Sequence, residues 1–167
     1  IQQAGQPQRI ADVHVLEGGT GIIAKGTGWQ VSSDYVLHGD FRLAPDFDWR
    51  CLGFRLETKG KILTISGDTV PCAGISDLAR KADLLLQCCH FPMQALTDPT
   101  CRYLTEHIIP STSQAGQIAA EAEVKRMVLT HLSPAFDQVT MAVVQEEVGR
   151  YFAGELLLAE DLMTLEL

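Results

Sequence analysis

The order of hydrophobic and polar positions divides this chain into a strand-rich first half and a second half in which helices and strands alternate. Extended apolar or alternating runs predict β-strands, because successive side chains of a strand point to opposite faces of a sheet. In the first half such runs cover residues 9–17, 22–24, 29–37, 51–57 and 61–65. Thr58-Lys59-Gly60 separates the last two runs and predicts a β-hairpin with glycine in its turn.

The second half contains a clear helix start. Ser111 is a good N-cap, and Gln114 follows three residues later, as a capping box requires, so a helix is predicted over 112–122. Further helices are predicted over 72–81 and 137–152, strands over 83–87, 125–130, 155–159 and 162–167, and loop with room for one helical turn over 91–110. Strands followed by alternating helices and strands favour an α/β fold, a mixed sheet covered by helices, in a single domain of residues 1–167.

The composition is that of a globular protein, since 46% of the 167 residues are hydrophobic and 20% are charged. The formal net charge of −8 opposes loose binding to nucleic acid or to an anionic membrane. No apolar run in the sequence is as long as a membrane span. The five cysteines include no Cys-x-x-Cys pair, which favours reduced thiols and a cytoplasmic location. We therefore expect neither a membrane nor nucleic acid as a partner.

Three candidate metal ligands follow extended runs. Ser66 and Gly67 permit a sharp turn after the strand at 61–65, so Asp68 is expected at the carboxyl end of that strand, where open sheets place their chemistry. His38 and His131 also stand at the ends of extended runs. One carboxylate and two imidazoles suit Zn²⁺ or a similar divalent ion. The plainer alternatives are an Asp that opens an ordinary turn and histidines that are hydrogen-bonded at the rim of a core.

Several stretches resemble the metallo-β-lactamase superfamily and, more narrowly, its ribonuclease Z-like branch of metal-dependent hydrolases. The resemblance extends from about Trp29 to the C-terminus. Its most specific pieces are Ser66-Gly67-Asp68-Thr69 and Leu129-Thr130-His131-Leu132-Ser133-Pro134. Residues 51–57, 79–86, 111–119 and 158–163 resemble the same branch, in the same order along the chain.

The resemblance implies a site in which one carboxylate bridges two metal ions. Asp68 matches the bridging, catalytic position, His38 matches a ligand of the first metal, and His131 matches a ligand of the second. Such metals lower the pKa of a shared water and polarise the bond to be cleaved. The implied activity is therefore hydrolysis of a phosphodiester or an ester, with Zn²⁺ or another divalent metal as cofactor and a small phosphoester or ester as substrate.

The sequence departs from the superfamily at its main metal motif, His-x-His-x-Asp-His, which is absent. The resemblance places that motif in the N-terminal half of a four-layer αββα sandwich, so this chain matches mainly the C-terminal half. Each metal would keep two protein ligands, and zinc sites normally have three or four, so we expect no tight dinuclear site from this chain alone. Gln87-Cys88 stands where the branch usually has His-Glu.

Two further histidines, His14 and His90, are interpreted as structural, and the cysteine pair as a poor chelator. His14 lies within the first predicted strand, and His90 precedes Phe91-Pro92. Cys88 and Cys89 are adjacent on a predicted strand, so their side chains point to opposite faces and chelate poorly as a pair.

Two hypotheses of different kinds remain. In the first, the chain is a metal-dependent hydrolase whose N-terminal half is missing from this chain or is supplied by another one. In the second, it is a non-catalytic half-fold. Half of a sandwich leaves one apolar sheet face uncovered, and two copies would bury that face by forming a homo-oligomer.

Overall fold

The fold is organised on one seven-stranded sheet. The structure is a computed structural model, and it describes residues 19–40, 42 and 50–167. Its strands are β1 (Gly21–Gly26), β2 (Trp29–Val36), β3 (Cys51–Thr58), β4 (Lys61–Ile65), β5 (Leu84–Cys88), β6 (Arg126–Thr130) and β7 (Glu155–Leu158). The strands stand side by side in the order in which they occur along the chain. The strand predicted over 9–17, with His14, lies outside the described residues.

Four α-helices connect or flank the later strands. They are α1 (Ala73–Ala79), α2 (Pro99–His107), α3 (Thr112–Glu121) and α4 (Met141–Gly149), with short 3₁₀ turns at Met93–Thr97 and Pro134–Gln138. The prediction of loop over 91–110 was wrong, because α2 fills much of that stretch. The helix predicted over 137–152 is shorter than expected, and residues 162–167 form no strand.

Local capping explains where these helices begin. Asp98 accepts hydrogen bonds from the backbone N–H groups of Thr100 and Cys101, and Pro99 occupies the first helical position of α2. The capping box predicted at Ser111 is confirmed, since its hydroxyl and the Gln114 side chain bond each other's backbone N–H groups. The cap that starts α2 was overlooked because three prolines mask the helical period around it.

The sheet is mixed, as predicted. Neighbours from β1 to β4 are antiparallel, and neighbours from β4 to β7 are parallel. Consequently β2, β4, β5, β6 and β7 all run the same way and end at one edge, which we call the carboxyl edge. The connections between neighbouring parallel strands are right-handed crossovers. Because β4 to β7 are added one after another in the same direction along the sheet, these connections place their helices on the same face. Accordingly, α1 packs on β2, β3 and β4, and α3 packs on β5, α1 and α4.

The main hydrophobic core lies between that helical face and the sheet. Fully buried Ile75 of α1 and Ile118 of α3 meet Leu85, Met127 and Leu129 of the central strands. Helix α1 lies very close to β2, because a Cβ on Gly74 would fall 1.9 Å from the main-chain oxygen of Tyr35. Helix packing on this face therefore depends on a glycine contact as well as on apolar burial.

Among the described residues, the C-terminal segment covers part of the opposite face of the sheet. Residues 159–167, which we call the C-terminal strap, run across it, and the Arg126 guanidinium donates a hydrogen bond to the main-chain oxygen of Glu166. A groove of about 350 Å³ remains between strap and sheet. Its apolar lining includes Leu63, Leu84, Leu86, Val128, Met163, Leu165 and Leu167. None of the described helices has the length and apolar character needed to cross a bilayer.

Candidate metal centre

The corner that follows β4 is shaped by two small residues. The Ser66 N–H donates to the Leu86 main-chain oxygen at 3.0 Å, and the Ser66 hydroxyl accepts from the Cys88 N–H at 2.9 Å, so the corner is tied to β5. Gly67 has φ +61°, and a Cβ there would lie 2.7 Å from the main-chain oxygen of Leu52. Only glycine fits both conditions without strain. The turn carries Asp68 onto the carboxyl edge of the sheet.

Asp68 meets two other potential ligands at this edge. One ligand atom each from Asp68, Cys88 and His131 lies within 4.8 Å of the other two. The Cys88 thiol donates a hydrogen bond of 2.9 Å to Asp68 Oδ1. These residues come from the ends of β4, β5 and β6, and a pocket of about 320 Å³ opens in front of them. The structure thus brings two of the three predicted ligands together and adds a thiol to them.

Burial keeps the thiol at this site protonated in the absence of metal. Cys88 is only 4% exposed, and burial, reinforced by the hydrogen bond to Asp68, raises the pKa of its thiol. A bound cation has the opposite effect on the thiol pKa, because it stabilises the thiolate directly. Cys89 points the other way, into the main core, where burial also raises the pKa of its thiol. The two cysteines therefore face opposite sides of the strand end, and only Cys88 reaches the cluster.

His38 reaches the same edge from β2 but does not join the cluster. Its Nδ1 lies 2.6 Å from the main-chain oxygen of Ile108. A carbonyl oxygen only accepts, so Nδ1 is the donor, and in the neutral ring Nε2 is the nitrogen left to act as a ligand. That is the ring state a metal ligand requires. A bridge between Leu37 and Val70 ties the end of β2 to the corner that carries Asp68. The role of His38 as a ligand stays a prediction.

A polar network fixes the loop that follows His38 against α2. The Arg42 guanidinium donates two hydrogen bonds to the Asp40 carboxylate, and the Tyr103 hydroxyl donates a third at 3.0 Å. These contacts, above all that with Arg42, hold the pKa of Asp40 well below its usual range. The Gly39 N–H also donates to the main-chain oxygen of His107. The end of β2 is thereby held beside the site.

His131 adopts a backbone conformation that non-glycine residues rarely use, with φ +60°. Strain of this kind concentrates at functional sites. His90 stabilises this backbone conformation, since its Nδ1–H donates a hydrogen bond to the His131 main-chain oxygen at 2.9 Å. The same nitrogen lies 3.0 Å from the Nδ1 of the His131 ring. The sequence interpretation of His90 as merely structural overlooked this contact. Its position two residues after Cys88, just past the end of a strand, was the available signal.

The donors fit a single divalent ion better than a pair. Asp68 and His131 offer a carboxylate oxygen and an imidazole nitrogen, both common zinc ligands, and the Cys88 thiol lies at ligand distance from them. For a second ion, the predicted ligands in the described part of the chain are His38 and the shared Asp68. The expectation that this chain alone builds no tight dinuclear site stays a prediction.

A mixed sheet with helices on one face and a carboxylate–imidazole site at its carboxyl edge is the arrangement of the metallo-β-lactamase fold. The structure is similar to the metallo-β-lactamase fold protein YhfI from Bacillus subtilis, with a TM-score of 0.64 and 20% identity over 84% of this chain and 50% of that chain. It is also similar to human short-form tRNase Z, with a TM-score of 0.59 and 23% identity over 87% of this chain and 46% of that chain.

Comparison of the sequence with curated proteins points to a narrower group, the ribonucleases Z. The chain is 36% identical to the ribonuclease Z of Mycobacterium avium (strain 104) over an aligned length of 123 residues, and the alignment covers 66% of this chain and 40% of that relative. The resemblance to the ribonuclease Z-like branch is therefore confirmed. No family model matches the chain. The chain spans less than half the length of this curated relative and half or less of the two solved chains, so it represents part of the fold.

Proposed function

We propose that this chain, folded as one domain, forms part of a metal-dependent hydrolase of phosphodiester or ester bonds that works in the cytoplasm. The supporting observation is the convergence of Asp68 and His131, which are distant in sequence, at the carboxyl edge of the sheet. Relatives named ribonuclease Z support the reaction class. The complete site is dinuclear in this proposal, and the remaining ligands come from an N-terminal half outside this chain.

Each predicted ligand has a distinct task in this proposal. Asp68 would bridge two ions, His38 would hold the first through its unprotonated Nε2, and His131 would hold the second. The ions would supply a water of lowered pKa and polarise the scissile group. Ser66 and Gly67 leave the carboxylate accessible, because neither carries bulk that would close the pocket. The hydrogen bond that the Ser66 hydroxyl accepts from the Cys88 N–H, at the end of β5, ties the corner that carries Asp68 to the sheet beside the pocket.

The pocket favours a small substrate over a polynucleotide. Ile65 and Leu86 give it apolar walls, and Thr130 adds a hydroxyl. No lysine or arginine is found among the described residues that line it. Nucleic-acid grooves depend on such cations, and the net charge of −8 opposes a polyanion as well. A small phosphoester or ester therefore fits this pocket best.

The test combines metal analysis with two hydrolysis assays on the purified protein. With Zn²⁺ or Mn²⁺ added, we expect uptake of the metal and only weak cleavage of bis(p-nitrophenyl) phosphate or p-nitrophenyl acetate above the metal-free rate, because part of the ligand set lies outside this chain. A chelator should abolish that cleavage. The control is His107→Ala, because His107 lies on α2 outside the cluster, and we expect it to keep the metal-dependent rate. A protein that takes up no metal and is inert on both substrates would contradict the proposal.

A second candidate function, a non-catalytic half-fold that self-associates, is favoured by the sheet face opposite the helices. That face keeps an apolar groove of about 350 Å³ beside the C-terminal strap, and Ile65 is 43% exposed. The proposed occupant is a second copy of the chain, which would bury the face symmetrically. Light scattering is expected to give twice the 18.3 kDa mass of the chain. A strictly monomeric mass at high concentration would remove this candidate.

A further inference from the structure

The Cys88 thiol has no task in the proposed hydrolysis, yet it lies inside the site. Its sulfur belongs to the group of three ligand atoms that lie within 4.8 Å of one another. Cys88 is the last residue of β5, His131 directly follows β6, and Asp68 lies three residues after β4. These strands are parallel neighbours, so the sheet fixes much of the spacing of the three residues. The Cys88 backbone is fixed further by the hydrogen bond from its N–H to the Ser66 hydroxyl.

We propose that Cys88 is itself a metal ligand, and that this chain binds one thiophilic divalent ion through Asp68, Cys88 and His131. The inference rests on the metal site of the proposed function but not on any hydrolytic activity. A carboxylate and a thiolate balance the double charge of one ion, and a neutral imidazole completes three protein ligands. Three ligands and one open position are the usual arrangement of a reactive zinc site.

The geometry requires little movement to accept the ion. The Cys88 sulfur lies 2.9 Å from Asp68 Oδ1, and two ligands of a tetrahedral zinc are about 3.5 Å apart. When the sulfur–metal bond forms, the S–H bond breaks and its proton passes to solvent, so no oxidant or reductant takes part. The hydrogen bond between Cys88 and Asp68 is then replaced by their shared coordination of the ion. The fourth position faces the pocket of about 320 Å³.

The ligand chemistry also predicts which ions bind. Thiolate ligands favour zinc and its softer analogues, whereas sites made of oxygen ligands suit magnesium and manganese. We therefore expect Zn²⁺, Cd²⁺ and Co²⁺ to bind more tightly than Mn²⁺ or Mg²⁺. A site held by Asp68 and His131 without sulfur would not show this preference.

Cobalt titration of the full chain tests the thiolate directly. Wild-type protein with Co²⁺ is expected to show an intense near-ultraviolet sulfur-to-cobalt charge-transfer band that saturates at one equivalent. Cys88→Ser should abolish the band and weaken binding by at least about 100-fold, since even losing a residue that only supports a ligand costs 10- to 100-fold. Cys89→Ser is the matched control, because that neighbouring sulfur faces the main core, and it should keep the band.

X-ray absorption on wild-type protein loaded with zinc needs no variant and is unaffected if Cys88→Ser fails to fold. One sulfur neighbour at about 2.3 Å is expected. A zinc shell of only nitrogen and oxygen, or a cobalt band that survives in Cys88→Ser, overturns the inference even if hydrolysis is observed. A sulfur signal from protein that hydrolyses nothing supports the inference while the proposed function fails.

Discussion

The Asp68→Asn variant is expected to lose affinity for Zn²⁺ by at least about 100-fold and to lose any metal-dependent hydrolysis with it. An amide replaces the one carboxylate that lies beside both Cys88 and His131. It carries no charge to offset the ion and is a poor zinc ligand. The carboxylate also accepts the hydrogen bond from the Cys88 thiol, and an amide oxygen can still accept it. The variant should therefore stay folded but lose its affinity for Zn²⁺.

Isothermal titration of the folded chain with Zn²⁺ measures this loss. The matched control is Asp77→Asn on α1, where the carboxylate is 60% exposed and pairs with Arg80. Removing that exposed ion pair should leave zinc affinity unchanged and cost little stability. If Asp68→Asn bound zinc as tightly as the control variant, the metal centre would have to lie elsewhere in the molecule.

The Gly74→Ala variant is expected to lower the free energy of unfolding by about 3 kcal/mol or more. The added methyl group would lie 1.9 Å from the main-chain oxygen of Tyr35, and that oxygen belongs to β2 and cannot rotate aside. Helix α1 would have to move away from the sheet. Ile75 and Leu78, both buried beneath it, would then lose their packing.

Urea unfolding followed by circular dichroism measures the change, with Gly149→Ala as control. Gly149 ends α4, and a Cβ there would have no neighbour within 4 Å. Alanine at that position should be neutral or stabilise by up to about 1 kcal/mol through helix propensity. Equal stabilities for the two alanine variants would show that α1 does not lie as close to β2 as described.

Much of the sheet could be predicted, because its strands carry strong local signals. β-branched residues and the glycine turn at Gly60 define the hairpin of β3 and β4, and Ser111 defines the start of α3. Residues 162–167, the end of the C-terminal strap, are predicted from the sequence as a strand. The backbone of this segment instead lies across the sheet, where Met163, Leu165 and Leu167 line the apolar groove, so burial against that face outweighs the local pattern.

The site was predictable only where it depends on strand direction. Asp68 and His131 both follow strands that end at one edge, so their convergence follows from topology. Cys88 was overlooked because its contact depends on register, which pairs it with Thr130 beside His131. A sequence alone does not give that register. His38 was placed at the correct edge, but its separation from the cluster follows from a hydrogen bond to Ile108 that no motif indicates.

The simple succession of strands from β1 to β7 also bears on how the protein is made. Each strand pairs with the one that precedes it along the chain, so every segment that leaves the ribosome finds its neighbour already synthesised. Among the seven described strands, none has to wait for a distant one or be inserted between two that have already joined. Assembly can therefore keep pace with translation, and unpaired edges are exposed only briefly.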